Sequence, residues 1–261
     1  MAAAISGMKA CCRDGAAEPR PLGAGHGGTR HLGHAARIHD GVVDPGYALH
    51  GALKATFGAL APHPFLVRER GRTNELLGYV AAETSAVTEA ASVAAALGSV
   101  PGPVLNLAQI EARRMPADWT EGRQWSFETR VRPIVRSRSK GRDTASAEID
   151  VAHWLASRST DGETPSREEA YCRWLGERLA TSGAARLVRA HVVAMRSCVV
   201  LRRPLIAGKR RMQRVPGPDV TMRGELQIDD PAKFAALLSS GIGRHRAFGF
   251  GCLLLAPPGV W

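Results

Sequence analysis

The sequence predicts an α+β protein built from two consecutive halves that share one order of elements. Three observations lead there. The chain has 261 residues, too many for one small module; that length allows one large domain or two of about 110 residues each. Apolar residues make up 44% of it and aromatic residues 5%, so a real core is available and must be built mainly from Leu, Val, Ala and Ile. The hydrophobic spacing also alternates between a period of 3.6 and a period of 2. In the second half that alternation reads β-α-β-β-α-β, the ferredoxin-like order. In the first half it reads α-β-β-α-β.

In the first half, Asp44 is suited to cap a helix and Pro45 to enter its first turn. Tyr47 to Leu60 has helical spacing, with Gly58 and Pro62 marking the end. Pro64 to Val67 and Leu76 to Val80 read as short strands across a polar turn, Arg68 to Asn74. An Ala-rich helix follows from about Ser85 to Leu97. Val104 to Ile110 reads as a strand after Pro101 and Pro103. In the second half, Trp125 to Arg136 reads as a strand. A helix opens at Ser166-Arg167-Glu168-Glu169 with the pattern of a capping box. Its apolar stripe is Tyr171, Trp174, Leu175 and Leu179. Strands are predicted at Ala190 to Leu201 and Val220 to Ile228, the second entered through Pro216-Gly217-Pro218. Asp230-Pro231 starts a short helix through Leu238, and Ala247 to Leu255 closes as a strand. Residues 1–40 hold neither period and read as an irregular leader. The predicted division is therefore 1–40, 41–120 and 121–261, with no convincing opening strand for the first domain. Ala35 to Ile38 is a weak candidate only, and a missing strand would leave a sheet edge unpaired.

Thirty-five Lys and Arg stand against 24 Asp and Glu, a formal net charge of +11. Such an excess suits a polyanion, because each phosphate contact releases condensed counterions. The charge is also concentrated. One basic loop carries Arg136, Arg138, Lys140 and Arg142, and a second carries Lys209, Arg210, Arg211 and Arg214. The five cysteines, Cys11, Cys12, Cys172, Cys198 and Cys252, form no Cys-x-x-Cys pair, so neither a zinc site nor a disulfide framework is indicated. His26, His31, His34 and His39 cluster in the leader without the carboxylates or thiols that would complete a metal site. No window approaches the ~18 apolar residues of a membrane span, and no signal-peptide pattern opens the chain. A cytoplasmic protein is expected.

Two features carry chemistry. At about 100° per residue, Tyr47, His50 and Lys54 fall within about 60° of one another on the first helix, beside the apolar stripe of Leu49, Leu53, Phe57 and Leu60. Together they can serve a phosphodiester: His moves a proton near neutral pH, Lys stabilises developing charge, and Tyr donates a hydrogen bond or stacks on a base. Spacing alone is equally met by the half-exposed flank of an amphipathic helix. The second feature is Gly241-Ile242-Gly243-Arg244-His245-Arg246-Ala247-Phe248-Gly249-Phe250-Gly251. Glycines allow close backbone approach and can offer amides to phosphates, and Arg244, His245 and Arg246 add charge. This run follows a helix and precedes a strand, so it is not a dinucleotide fingerprint, and it lacks the Gly-Lys-Ser/Thr of a Walker loop.

The run from Gly241 through Phe250-Gly251-Cys252-Leu253-Leu254-Leu255 resembles the terminal glycine-rich motif of the CasE family, the repeat-processing subunit of the type I-E CRISPR complex Cascade. Gly46-Tyr47-Ala48-Leu49-His50, Phe57-Gly58 through Pro64-Phe65, Met115 to Trp119, Val131 to Arg136 and Tyr171 to Leu175 are similar to further stretches of that family. The likeness spans about residues 42–258. It implies two tandem ferredoxin-like (RRM-like) domains, and cleavage of precursor CRISPR RNA at the 3′ base of the repeat hairpin. The 2′-hydroxyl would attack the adjacent phosphate, leaving a cyclic phosphate and a 5′-hydroxyl, and the enzyme would stay on its product. The resemblance implies no metal and no small-molecule cofactor. The partners it implies are the CRISPR repeat RNA hairpin and the other Cascade subunits, with no membrane. Carried over by position, His50 matches the family's histidine, Tyr47 the accompanying tyrosine, and Lys54 lies near where the family often has a lysine. Asp143 to Ser146 stands where a longer segment is expected. Two alternatives stay open: an RNA-hairpin-binding subunit that does not cut, and an unrelated RRM-like RNA-binding protein, against which the lack of stacking aromatics counts.

Overall fold

Two four-stranded antiparallel sheets organise the protein, each with the spatial strand order 4-1-3-2 of a ferredoxin-like unit. In the structure, a computed structural model, residues 3–10, 44–70, 73–98, 105, 110–116, 118–136, 147–159, 164–202, 205–206, 208–210 and 212–260 are described. The chain divides into one unit of Met1–Pro62 with Val67–Met115, and a second of His63–Leu66 with Pro116–Trp261.

The first unit runs β1 (Ala3–Ala10), α1 (Pro45–Phe57), β2 (Phe65–Arg70, whose first two residues group with the second unit), β3 (Thr73–Val80), α2 (Thr84–Ala96) and β4 (Glu111–Arg114). Strand β1 corrects the expectation that residues 1–40 are irregular throughout and that the opening strand is absent. It lies between β3 and β4, antiparallel to both. A bulge between Ile5 and Met8 shifts its register against β3, which breaks the period-two pattern a strand normally shows. Helix α1 forms where its caps direct. The buried Asp44 accepts the Tyr47 N–H at 3.1 Å, and Pro45 enters the first turn. Leu49, Ala52, Leu53 and Phe57 bury its inner face, and α2 packs against it through Val87, Ala91 and Ala94. The strand expected at Val104–Ile110 falls mostly outside the described residues. The fourth strand is Glu111–Arg114.

The second unit runs β5 (Gln124–Val131), β6 (Ile134–Arg136), β7 (Glu148–Asp150), α3 (Val151–Ala156), α4 (Arg167–Ser182), β8 (Ala185–Arg202), β9 (Leu205–Ile206), β10 (Lys209–Arg210), β11 (Gln213–Ile228), α5 (Pro231–Ser240) and β12 (Leu253–Ala256). The capping box forms as expected: Ser166 Oγ accepts the Glu169 N–H and Glu169 accepts the Ser166 N–H. Tyr171, Trp174, Leu175 and Leu179 bury the stripe of α4.

Three expectations are corrected here. The single strand Trp125–Arg136 is two strands, broken at Arg132-Pro133, because β6 turns away to pair with β7. Pro216-Gly217-Pro218 is no linker but part of the 16-residue β11, paired to β8 from Gln213 to Ile228. Proline tolerates this because β5 pairs with β11 only from Val220 onward. Two prolines two residues apart withhold donors on one side, the side that β5 has vacated. The buried Arg132 side chain lies against this stretch, donating to the Val215 carbonyl at 2.7 Å and to Cys198 Sγ on β8 at 3.1 Å. Finally, Ala247–Leu255 is extended only from Leu253, since residues 246–248 make a 3-10 turn.

Strand β8 is an edge strand with two bulges, where Val188 and Val193 have no partner in the β11 register. Glu168 on α4 accepts the Val192 N–H at 2.8 Å. Between the bulges, Gly224 of β11 faces Ala190, and a Cβ there would overlap the Arg189 carbonyl oxygen. Gly224→Ala is therefore expected to destabilise the protein by about 1–3 kcal/mol, the scale of an overpacked core, read as a lower urea midpoint. An unchanged midpoint would show that β8 yields freely at this point.

Candidate functional site

In the first unit, the candidate chemistry stands on α1. The helix buries Leu49 and Leu53 and leaves Tyr47 and His50 half-buried and Lys54 exposed. The three predicted residues thus share one face at the border of the core. Lys54 Nζ makes a long 3.5 Å contact to the Gly58 carbonyl at the end of the helix. Partial burial depresses the His50 pKa, and the Lys54 charge one turn on adds to the effect. The neutral imidazole, able to accept a proton, is therefore the favoured form at pH 7.

In the second unit, the glycine-rich run of residues 241–251 is a closed loop between α5 and β12. Gly251 donates to the Arg130 carbonyl at 2.6 Å, and the Ile242 N–H donates to the Gly251 carbonyl at 2.8 Å. Gly241 and Gly251 both have positive φ, 76° and 78°. A Cβ on Gly251 would overlap the Ile242 carbonyl, and one on Gly241 would stand 2.8 Å from the Gly251 carbonyl. These glycines therefore bring two stretches of backbone together. The amide of Gly241, expected to serve a phosphate, is committed to the Leu237 carbonyl at 2.7 Å. Gly243 lies over the Trp174 ring, which a Cβ would approach to 3.0 Å.

Two buried carboxylates that sequence reasoning did not single out hold this loop. Glu148, at the start of β7, accepts Arg202 at 2.9 Å and Arg244 at 3.2 Å on one oxygen, and meets His245 Nε2 at 2.7 Å with the other. His245, expected among the RNA contacts, instead has its ring turned inward against this acid, with the side chain 3% exposed. Asp219 on β11 takes two contacts from Arg130, at 2.7 and 2.8 Å, and one from Arg196 at 2.8 Å. Arg130 in turn stacks on the Phe250 ring, 4.5 Å from its centroid. Burial pushes both carboxyls up, but the basic partners outweigh it and hold each below its ordinary value: Arg130 and Arg196 for Asp219, and His245, Arg202 and Arg244 for Glu148. No sequence spacing marks either acid, since their partners come from three separate segments, β5, β8 and the glycine loop.

Of the other predicted residues, Arg136 on β6 and Arg214 on β11 are exposed. Arg246 donates to the Ser240 carbonyl at 2.6 Å. Lys209 and Arg210 form β10 of a short hairpin with β9. Arg138, Lys140, Arg142 and Arg211 lie outside the described residues, as do Cys11, Cys12 and the leader histidines. Among the described residues no helix is long and apolar enough to cross a membrane.

Two 4-1-3-2 units in one chain, the second carrying a glycine loop braced by buried acids, define a tandem ferredoxin-like protein. Residues 30–257 match the family described as CRISPR associated protein, and the chain belongs to that family, in keeping with the CasE resemblance of its tail. No curated protein matches the sequence. Among solved structures, CRISPR endoribonuclease Cse3 bound to a 19-nucleotide RNA is similar at 17% identity, with a TM-score of 0.56 over 98% of this chain and 100% of that one. Cse3 of Thermus thermophilus, bound to an RNA representing a pre-cleavage complex, shares 18% identity and a TM-score of 0.55, covering 97% and 99% of the two chains. Cas6e of Escherichia coli K-12 shares 18% identity and a TM-score of 0.50 over 97% and 99%.

Two outcomes follow from the charges. Replacing Lys54 by Met removes a cation beside His50, so the His50 pKa should rise toward its ordinary 6.5 in an NMR titration. A fall or no change would mean that Lys54 does not act on the ring. Asp219 and Glu148 have depressed folded-state pKa values, so their stabilisation is complete above the unfolded carboxylate range, near pH 4, and is lost as pH falls through the lower folded values. Asp219→Asn should flatten the loss of thermal stability with acid in that window. An equally steep loss would place the acid sensitivity elsewhere.

Proposed function

We propose that this chain is a CRISPR endoribonuclease that binds a repeat RNA hairpin, cuts precursor RNA at the hairpin's 3′ base without a metal, and remains on the mature crRNA with the other subunits of a Cascade-type complex. Family membership, together with Tyr47, His50 and Lys54 on one face of α1, carries this reading. The similar Cse3 and Cas6e structures lend support through their shared fold.

The neutral His50 imidazole takes the proton of the 2′-hydroxyl. The 2′-oxygen bonds to the adjacent phosphorus as the bond from phosphorus to the 5′-oxygen breaks. A 2′,3′-cyclic phosphate and a 5′-hydroxyl result, the departing oxygen being protonated from solvent. Lys54 stabilises the charge on the crowded phosphorus, and Tyr47 donates a hydrogen bond or stacks on a neighbouring base. A positioned acid–base residue contributes typically about 10²–10⁴-fold, and in-line orientation of the nucleophile adds to it. RNA duplexes are gripped by shape and phosphate contact. That role falls to the exposed Arg136 and Arg214, to Arg138, Lys140, Arg142, Lys209, Arg210 and Arg211, and to Arg244 and Arg246 beside the glycine loop. The alternative is a subunit that grips the hairpin without cutting; the strand β1, paired with β3 and β4 in the unit that carries His50, supports the cutting reading.

The test is incubation of the purified chain with its repeat RNA in excess EDTA. Wild type is expected to make a single cut ending in a cyclic phosphate. His50→Ala should lose about 10²–10⁴-fold in rate while keeping the hairpin bound. Cutting that survives His50→Ala removes His50 from the mechanism, and binding without any cut by the wild type establishes the alternative.

A further inference from the structure

The Glu148 contacts converge from three segments that are far apart in sequence. Glu148 begins β7, directly after the basic stretch that starts at Arg136, its cross-strand partner on β6. Arg202 ends β8, directly before the β9–β10 hairpin. Arg244 and His245 belong to the glycine loop. Asp150, two residues beyond Glu148, accepts the Tyr171 hydroxyl at 2.9 Å, which fixes β7 against α4. The acid is therefore held rigidly, with its side chain 1% exposed.

The charges around it do not balance. Two guanidiniums and an imidazole share one carboxylate. Arg202 contributes a single terminal nitrogen and stays 25% exposed, while Arg244 contributes its Nε and stays 38% exposed. An arginine bound through Nε keeps a terminal nitrogen for a second anion, and an oriented guanidinium fork fits a phosphate. We propose that Glu148 is a positioning residue that pre-shapes one phosphate seat from Arg202 and Arg244, joining the glycine loop to the base of the basic hairpin. The ligand is a backbone phosphate of the bound RNA. The inference rests on the RNA-binding reading above and adds to it a seat, an arginine and an acid.

The sign of one effect separates this from ordinary charge. Removing an acid from a basic surface should tighten RNA binding through long-range attraction alone. If Glu148 sets the arginines, Glu148→Gln should instead weaken binding of the repeat hairpin by about tenfold or more, the scale of a lost charge-assisted contact. Arg202→Gln and Arg244→Gln should each weaken binding and flatten its salt dependence, and the double variant should lose less than the two combined, because both serve one phosphate. Arg244→Lys keeps the charge on a side chain less buried than the acid and so carries the test even if Glu148→Gln does not fold. It should weaken binding nearly as much as Arg244→Gln. Tighter binding by Glu148→Gln, additive arginine losses, or wild-type affinity in Arg244→Lys would each overturn the seat while leaving hairpin recognition intact. If the wild type binds no hairpin, the RNA reading falls, and inorganic tripolyphosphate tests the seat alone. It should raise the melting temperature of wild type more than that of Arg244→Lys, and equal shifts would sink the seat.

Discussion

The second unit depends on two acids sealed away from water. A buried carboxylate is costly unless it is paired, and here each is paired more than once. Glu148 and Asp219 between them hold Arg130, Arg196, Arg202, Arg244 and His245. These partners belong to β5, β8 and the glycine loop. One half of the loop is tied through Arg244 and His245, and the other lies over Arg130. The loop's glycines are then required by geometry, since only residues without side chains let its two backbone strands close on one another at Gly241 and Gly251. The loop is a framed part of the fold, and the cations on it are directed by acids beneath it.

Much of the fold could be read in the residues, and the failures have identifiable causes. The start of α1 was readable because Asp44 and Pro45 are strong local signals, and the start of α4 because a capping box is specific. Strand β1 was not, because its bulge destroys the alternation that strand recognition relies on. The prolines of β11 suggested a break for a sound local reason. What made them tolerable, the departure of β5 after Val131, is a tertiary fact that no local pattern records. Strand β12 begins later than its apolar residues suggested because the positive φ of Gly249 and Gly251 is incompatible with extended backbone.

The candidate site divides in the same way. Tyr47, His50 and Lys54 share a face because helix geometry is local, so spacing alone sufficed to group them. The glycine loop was recognised as a feature, yet its working was not readable. His245 looked like one more surface cation between two arginines. Its ring is turned inward by an acid 97 residues away in sequence, and neither residue carries a mark of the other. Burial of a single glutamate thus turns His245 into an inward anchor and leaves Arg244 straddling acid and solvent, while Arg246 is secured separately to the end of α5.

The long outer strand β8 has a further consequence. Eighteen residues of edge, with Val188, Val193 and Met195 each 44–47% exposed, make up the kind of surface that recruits foreign strands into intermolecular sheets and fibrils. Its irregularities fall where the danger is greatest. Val188 and Val193 are themselves the residues that interrupt the ladder, and an amide between the two, that of Val192, is already occupied by Glu168. A visiting chain would find neither an even row of donors nor a flat apolar stripe to copy. The same distortions that make Gly224 necessary also make this edge a poor template for a second strand.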